Sequence, residues 1–115
     1  MKTNINTTNS FWKQAKRLVK KYKSLKSELE KLEIELHEKP QMGVALGNNS
    51  FKIRLAVKSK GKGKRGGLRV ITYLDIVIYE DEIINELYLL TIYDKSQTSS
   101  IPDREILNLI NQIRD

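Results

Sequence analysis

The sequence predicts an α+β fold in a single domain spanning residues 1–115, in the order of a weak strand, a helical region, three strands and a last helix. Apolar residues recur at intervals of three and four between Phe11 and Leu36, which is the period of an amphipathic helix. Between Phe51 and Tyr93 the chain is rich in Val, Ile, Leu and Tyr, as strands are. A last helical stripe is formed by Ile106, Leu109, Ile110 and Ile113.

The N-terminal segment predicts a short strand followed by a helix cap. Apolar and polar residues alternate weakly in residues 2–7, around Ile5. The polar residues that come next are good N-caps for the periodic segment; they are Thr8, Asn9 and Ser10.

The helical period continues through Ser24 without a Gly or Pro to interrupt it. The pattern alone therefore allows one long coiled-coil helix, or a hairpin of two helices that breaks near Lys23 and Ser24. Pro40 and Gly43 end the helical region in either arrangement.

Three strands are predicted in the second half. In residues 51–58 the apolar and polar side chains alternate, so that Lys52, Arg54 and Lys58 lie on the face opposite Phe51, Ile53, Leu55 and Val57. Residues 59–67 contain four glycines and predict a flexible, exposed loop. Two longer strands follow in residues 68–79 and 84–93, joined by an acidic turn, and the last helix begins near Pro102.

The net charge of +7 is unevenly distributed. Residues 13–26 hold seven basic side chains and no acid, whereas residues 28–38 hold five Glu and one Lys. Residues 51–73 hold eight Lys or Arg and no acid, and acids return in residues 80–86. A solvated face would explain one basic cluster, but the separation of the two signs favours a partner with a phosphate backbone.

Composition argues against several kinds of site. The absence of cysteine excludes disulfides and thiolate metal sites, and a single histidine gives no support to a transition-metal centre. The segment from Gly61 to Gly66 fits a G-x-G-x-x-G pattern, but a strand follows it where nucleotide loops have a helix, so no nucleotide cofactor is expected. No apolar run is long enough to span a membrane, and we expect a cytoplasmic protein.

Four segments together resemble the RelE/ParE superfamily of toxins from type II toxin–antitoxin systems, and most closely its RelE-like and HigB-like mRNA endoribonucleases. These segments are FWKQAKRLVKKYKSLKSELEKL, FKIRLAV, GGLRVITY and LLTIYDKS. The resemblance implies a helical hairpin and a C-terminal helix packed on a small, twisted, mostly antiparallel sheet. It also implies metal-independent cleavage of mRNA in the ribosomal A site, by attack of a ribose 2′-OH on the neighbouring phosphate.

The resemblance implies five catalytic candidates. Lys52 and Arg54 match a basic pair on the equivalent strand, and Arg69 matches the arginine after the glycine turn. Arginine suits charge stabilisation because its planar guanidinium can donate two hydrogen bonds to one phosphate. We rank Arg69 first for this role. Tyr93 and Lys95 end the last strand where relatives carry further catalytic groups. The general acid stays open, because residues 96–105 offer only an arginine where some relatives have an arginine and a tyrosine.

The basic loop supplies the expected contacts with RNA phosphates, which are Lys58, Lys60, Lys62, Lys64 and Arg65. The expected partners are the ribosome, its mRNA and a cognate antitoxin whose acidic residues complement residues 52–69. Two other functions stay open at this point. One is a ParE-like poison of DNA gyrase, and the other is a non-catalytic RNA-binding or coiled-coil interaction protein.

Overall fold

The computed structural model describes residues 2–114, and the side chains of residues 2–113. Its elements are β1 Lys2–Thr7, α1 Asn9–Lys21, α2 Leu25–Glu38, β2 Val44–Gly47, β3 Ser50–Leu55, β4 Leu68–Tyr79, β5 Glu82–Asp94 and α3 Asp103–Arg114. The strands form one sheet in the order β1–β5–β4–β3–β2. β1 runs parallel to β5, and the other neighbouring strands are antiparallel. The predicted α+β fold with a mostly antiparallel sheet is confirmed.

The N-terminal helices form a hairpin, and the coiled-coil alternative is wrong. Tyr22 leaves the first helix with extended backbone angles, and its hydroxyl donates a hydrogen bond to Asp94 at 2.7 Å. Ser24 ahead of α2 shares a hydrogen bond with the hydroxyl of Ser59 at 2.9 Å. Long-range partners therefore break the helix where the local sequence has no Gly or Pro. At the other end of α1, Thr8 caps the helix through the N–H of Phe11, as predicted.

Strand β2 was missed by the sequence reasoning. It is four residues long and pairs with β3 across an irregular register, so no alternation marks it. The signal in the sequence was the pair Asn48 and Asn49, since asparagine is common in two-residue hairpin turns. In the structure this pair forms such a turn, and both residues have positive φ. Gly43 precedes the strand with φ +102°, and a side chain there would collide with the carbonyl oxygen of Lys52.

The sheet separates two apolar layers. The layer under α1 and α2 includes Leu68, Val70 and Leu74 of β4. The layer under α3 includes Ile71 and Tyr73 of the same strand. Within residues 2–114, none of the helices is both long and apolar enough to cross a membrane.

Candidate active site

A row of three side chains crosses the sheet on the α3 side. Arg54 of β3 lies directly opposite Arg69 of β4, and Arg69 lies directly opposite Tyr93 of β5. Directly opposed residues share a sheet face, with Cβ atoms about 5 Å apart. Lys52 lies two residues before Arg54 and therefore on the same face. The structure thus brings together four of the five residues predicted as catalytic.

Arg69 is almost completely buried, with 2% of its surface exposed. Its Nη1 donates hydrogen bonds to the carbonyl oxygens of Lys64 at 2.8 Å and Leu68 at 3.1 Å, and its Nη2 donates to that of Arg65 at 3.1 Å. Within residues 2–113, no carboxylate lies at ion-pair distance from this guanidinium. Arg69 therefore ties the basic loop to the sheet while its charge stays uncompensated.

Two arginines on directly opposed positions repel each other, which costs stability in a sheet. Arg54 is exposed, whereas Arg69 lies beneath the loop and is shielded from water, so Arg54 is the member of the pair that a ligand can reach. A like-charge pair of this kind suits an anion site, because a bound phosphate would relieve the repulsion.

Tyr93 lies between Arg69 and the C-terminal helix. Its side chain belongs to the apolar layer that contains Ile106 and Ile110 of α3, and 8% of its surface is exposed. Burial raises the pKa of the Tyr93 hydroxyl, and the neighbouring charge of Arg69 opposes part of that rise. The hydroxyl is therefore protonated at neutral pH, which makes it a proton donor and not a base.

The first part of the loop between β3 and β4 packs against the start of α2, a contact that the sequence did not predict. Residues 58–60 form a 3-10 turn that docks on the start of α2. The N–H of Lys58 donates to Oε2 of Glu28 at 2.8 Å, and the N–H of Ser59 donates to Oγ of Ser24 at 2.9 Å. These bonds join the first residues of the loop to the start of α2.

Asp94, which the sequence reasoning missed, is the centre of a buried polar cluster at the end of β5. Its carboxylate accepts hydrogen bonds from Nζ of Lys60 at 2.7 Å, from the hydroxyl of Tyr22 at 2.7 Å and from the hydroxyl of Ser96 at 2.7 Å. Burial alone would raise the pKa of Asp94, but the bonds from Lys60, Ser96 and Tyr22 outweigh it and hold the pKa below its ordinary value. The sequence signal was a lone acid directly after a long apolar strand.

Lys60 is a correction to the predicted set of RNA contacts. Its amine is bound to Asp94 and also donates to the carbonyl oxygen of Gly66, and 8% of its side chain is exposed. It therefore fixes the loop and is not available to a phosphate. The other four loop candidates are exposed; they are Lys58, Lys62, Lys64 and Arg65. Lys95 is exposed too, but it follows the end of β5 and does not join the row.

Comparison with solved structures shows that the fold of this chain is a known one. The chain is similar to the free-state structure of the Escherichia coli toxin RelE, in a variant with two arginines replaced by alanine. The TM-score is 0.53 over 86% of this chain and 90% of that chain, with 13% sequence identity. The chain has a RelE-like fold. No protein-family model matches the sequence.

On this RelE-like fold the candidate residues occupy the end of the sheet from which the basic loop leaves. This end of the sheet carries half-buried Lys52, exposed Arg54 and the exposed cations of the loop, and the buried phenol of Tyr93 lies two strands from Arg54. Arg69 and Asp94 lie beneath them and fix the loop from two sides. The arrangement supplies a charged, preorganised surface for a phosphate and a protonated donor beside it.

Proposed function

We propose that the protein is an endoribonuclease toxin that cleaves mRNA on the ribosome and is neutralised by a cognate antitoxin. The observation that carries the proposal is the row Arg54–Arg69–Tyr93, which lies beside a fixed basic loop. The RelE-like fold supports the toxin class, because the similar solved structure is that of a toxin.

The proposed reaction is transfer of the phosphate to the neighbouring ribose 2′ oxygen. A bond forms between the 2′ oxygen and phosphorus, and the bond from phosphorus to the 5′ oxygen breaks. Arg54 stabilises the charge that builds up on the phosphate oxygens, and Tyr93 donates a proton to the departing 5′ oxygen. Lys52, on the same face as Arg54, adds to the positive charge around the phosphate, and the 2′ proton leaves to solvent water. No step requires a metal ion.

The exposed cations of the loop bind the RNA backbone on either side of the cleaved bond. Because the loop is held by Arg69 and Asp94, these contacts are formed without a large loss of loop entropy. An acidic segment of the antitoxin would cover the same surface and compete with RNA for it.

The test is primer extension on a defined messenger added to translating ribosomes with the purified, antitoxin-free protein. We expect cuts in the ribosome lane and none in a lane with the same messenger but no ribosomes. Intact messenger in both lanes would contradict the proposal. Double-strand breaks in DNA on induction of the protein, with messenger intact, would instead indicate a gyrase poison.

A further inference from the structure

The hairpin of β4 and β5 extends beyond the strand that covers its side. β3 pairs with β4 from Leu68 to Tyr73 only, whereas β5 continues to pair as far as Tyr79. The N–H of Leu74 still has a partner on the β3 side, because it donates to the carbonyl oxygen of Asn49 at 2.9 Å. Beyond this point, in residues 75–79, no strand within residues 2–114 covers that side of β4.

The uncovered part of the edge offers backbone groups to a partner at two residues. Backbone groups of alternate residues point to the same side of a strand, so the N–H and C=O groups of Ile76 and Ile78 point to the open edge, as the N–H of Leu74 does. These groups can pair with three residues of an added strand. The turn at Asn48 and Asn49 lies at the next position, so an added strand ends or bends away before Leu74.

The face of the hairpin on the side of α1 and α2 is apolar and solvent-exposed beside this edge. Ile76 and Ile78 are 56% and 76% exposed, and Ile83, directly opposite Ile78, is 49% exposed. A groove adjoins Ile76, and Pro40 and Met42 line it as well. This face therefore offers an apolar surface and a groove to the side chains of an added strand.

The opposite face of the hairpin is acidic beside the same edge. Asp75 lies directly opposite Glu86, so two carboxylates share this face with about 5 Å between their Cβ atoms. The side-chain amides of Asn4 and Asn6 donate to Glu86. Within residues 2–113, no cation lies at ion-pair distance from the half-buried Asp75. Tyr79 lies on this face too and is 65% exposed.

The charge at this end of the molecule restricts the kind of partner. Residues 75–86 hold five acids and no base, in a chain with a net charge of +7. Such a surface repels nucleic acid and anionic lipid. A second copy of the chain would bring its own acidic turn to the edge and be repelled as well. The occupant that fits is a polypeptide segment that supplies backbone groups, apolar side chains and positive charge.

We propose that the open edge of β4 binds an extended segment of a partner protein in which apolar residues alternate with Lys or Arg. In an antiparallel arrangement, two apolar residues lie opposite Ile76 and Ile78, and each exchanges two backbone hydrogen bonds with its isoleucine. The residue between them lies opposite Val77, on the acidic face. A lysine or arginine there reaches Asp75 as a diagonal neighbour, and also the ring of Tyr79.

This edge is separate from the part of the sheet proposed to cleave RNA. Ile76 follows Arg69 by seven residues of β4, which is about 24 Å at 3.4 Å per residue. A short strand bound at the edge therefore leaves the row Arg54–Arg69–Tyr93 uncovered. Binding at the edge does not depend on the proposed function, and it can be measured without any cleavage assay.

Amide hydrogen exchange, followed by NMR in the presence of a synthetic peptide, tests the site. The probe is Lys-Ile-Lys-Ile-Lys with blocked ends. We expect it to slow exchange of the Ile76 and Ile78 amides by about tenfold at a concentration ten times its dissociation constant. The amide of Val77 points to β5 and should not change. Glu-Ile-Glu-Ile-Glu, and the lysine peptide with both isoleucines N-methylated, should have no effect at the same concentration.

Two variants locate the peptide on the chain. Ile78→Pro removes an outward N–H without breaking a bond to β5, so the protein should fold, as circular dichroism checks, and lose the peptide. Asp75→Asn should weaken binding by about two- to fivefold, the usual effect of one exposed ion pair. Glu35→Gln, which changes an exposed acid on α2, is its matched control and should bind as wild type.

Three results would overturn the proposal. The first is exchange at Ile76 and Ile78 that the lysine peptide does not slow. The second is equal protection by the glutamate peptide, or protection that persists in Ile78→Pro. The third is a wild-type dimer in sedimentation velocity that Ile78→Pro abolishes, since a second copy would then occupy the edge.

Discussion

Replacing Asp94 by alanine is expected to lower the free energy of unfolding by about 3–5 kcal/mol, the cost of breaking a buried ion pair from one side. The substitution leaves the buried amine of Lys60 without its carboxylate and removes the acceptor of the Tyr22 and Ser96 hydroxyls. Urea denaturation measures the change. Glu35→Ala, an exposed acid on α2, is the control and should lie within about 0.5 kcal/mol of wild type.

The same carboxylate gives the stability a defined pH dependence. The pKa of Asp94 is lower in the folded protein than in the unfolded chain, so its contribution to stability is complete above the ordinary carboxyl pKa of about 3.9. It is lost as the pH falls below that value. We expect Asp94→Asn to flatten this acid limb of the stability profile. A profile unchanged by the substitution, or a loss of stability in Asp94→Ala no larger than in the control, would contradict the role assigned to the cluster.

Replacing Arg54 by alanine is expected to slow single-turnover cleavage of ribosome-bound messenger by about 10²–10³-fold, the usual loss for one donor that stabilises a developing anion. Arg54 can reach a bound phosphate because its side chain is exposed. The guanidinium of the neighbouring Arg69 is already bound to three carbonyl oxygens. Arg54→Lys should recover part of the rate, because it restores the charge without the two-pronged geometry.

Arg17→Ala is the matched control for Arg54→Ala. Arg17 is an exposed arginine on α1, and that helix covers the other face of the sheet. The two variants lose the same charge, so an effect of overall charge on ribosome affinity would slow both equally. Equal rates for the two variants would remove Arg54 from the proposed chemistry.

The fold was largely predictable because its main signals are periodic. Alternation in residues 51–58 placed Lys52 and Arg54 on one face, and the register across β4 and β5 confirms that this face is shared with Arg69 and Tyr93. Separating helix from strand, and one face from the other, needs only the spacing of apolar residues. The spacing of apolar residues could not decide between a hairpin and a coiled coil, because both arrangements have the same period. Hydrogen bonds to residues distant in the sequence decide it.

The internal bonds of the site could not be predicted, because each joins residues far apart in sequence or uses the backbone. Lys60 reaches Asp94 across 34 residues, and Tyr22 reaches it across 72. Composition cannot tell an exposed lysine from one that will find such a partner. Arg69 was ranked first as a phosphate ligand, and nothing in the sequence indicates its hydrogen bonds to the carbonyl oxygens of Lys64 and Arg65 in the loop.

The central claim is that this sheet face cleaves messenger by attack of the 2′-OH. The most direct measurement is primer extension on two ribosome-bound messengers that are identical except for a single 2′-deoxy nucleotide at the mapped cleavage position. The all-ribose messenger should be cut and the 2′-deoxy messenger should stay intact at that position, since the attacking group is missing. Cleavage of both messengers at the same position, or of neither, would contradict the account.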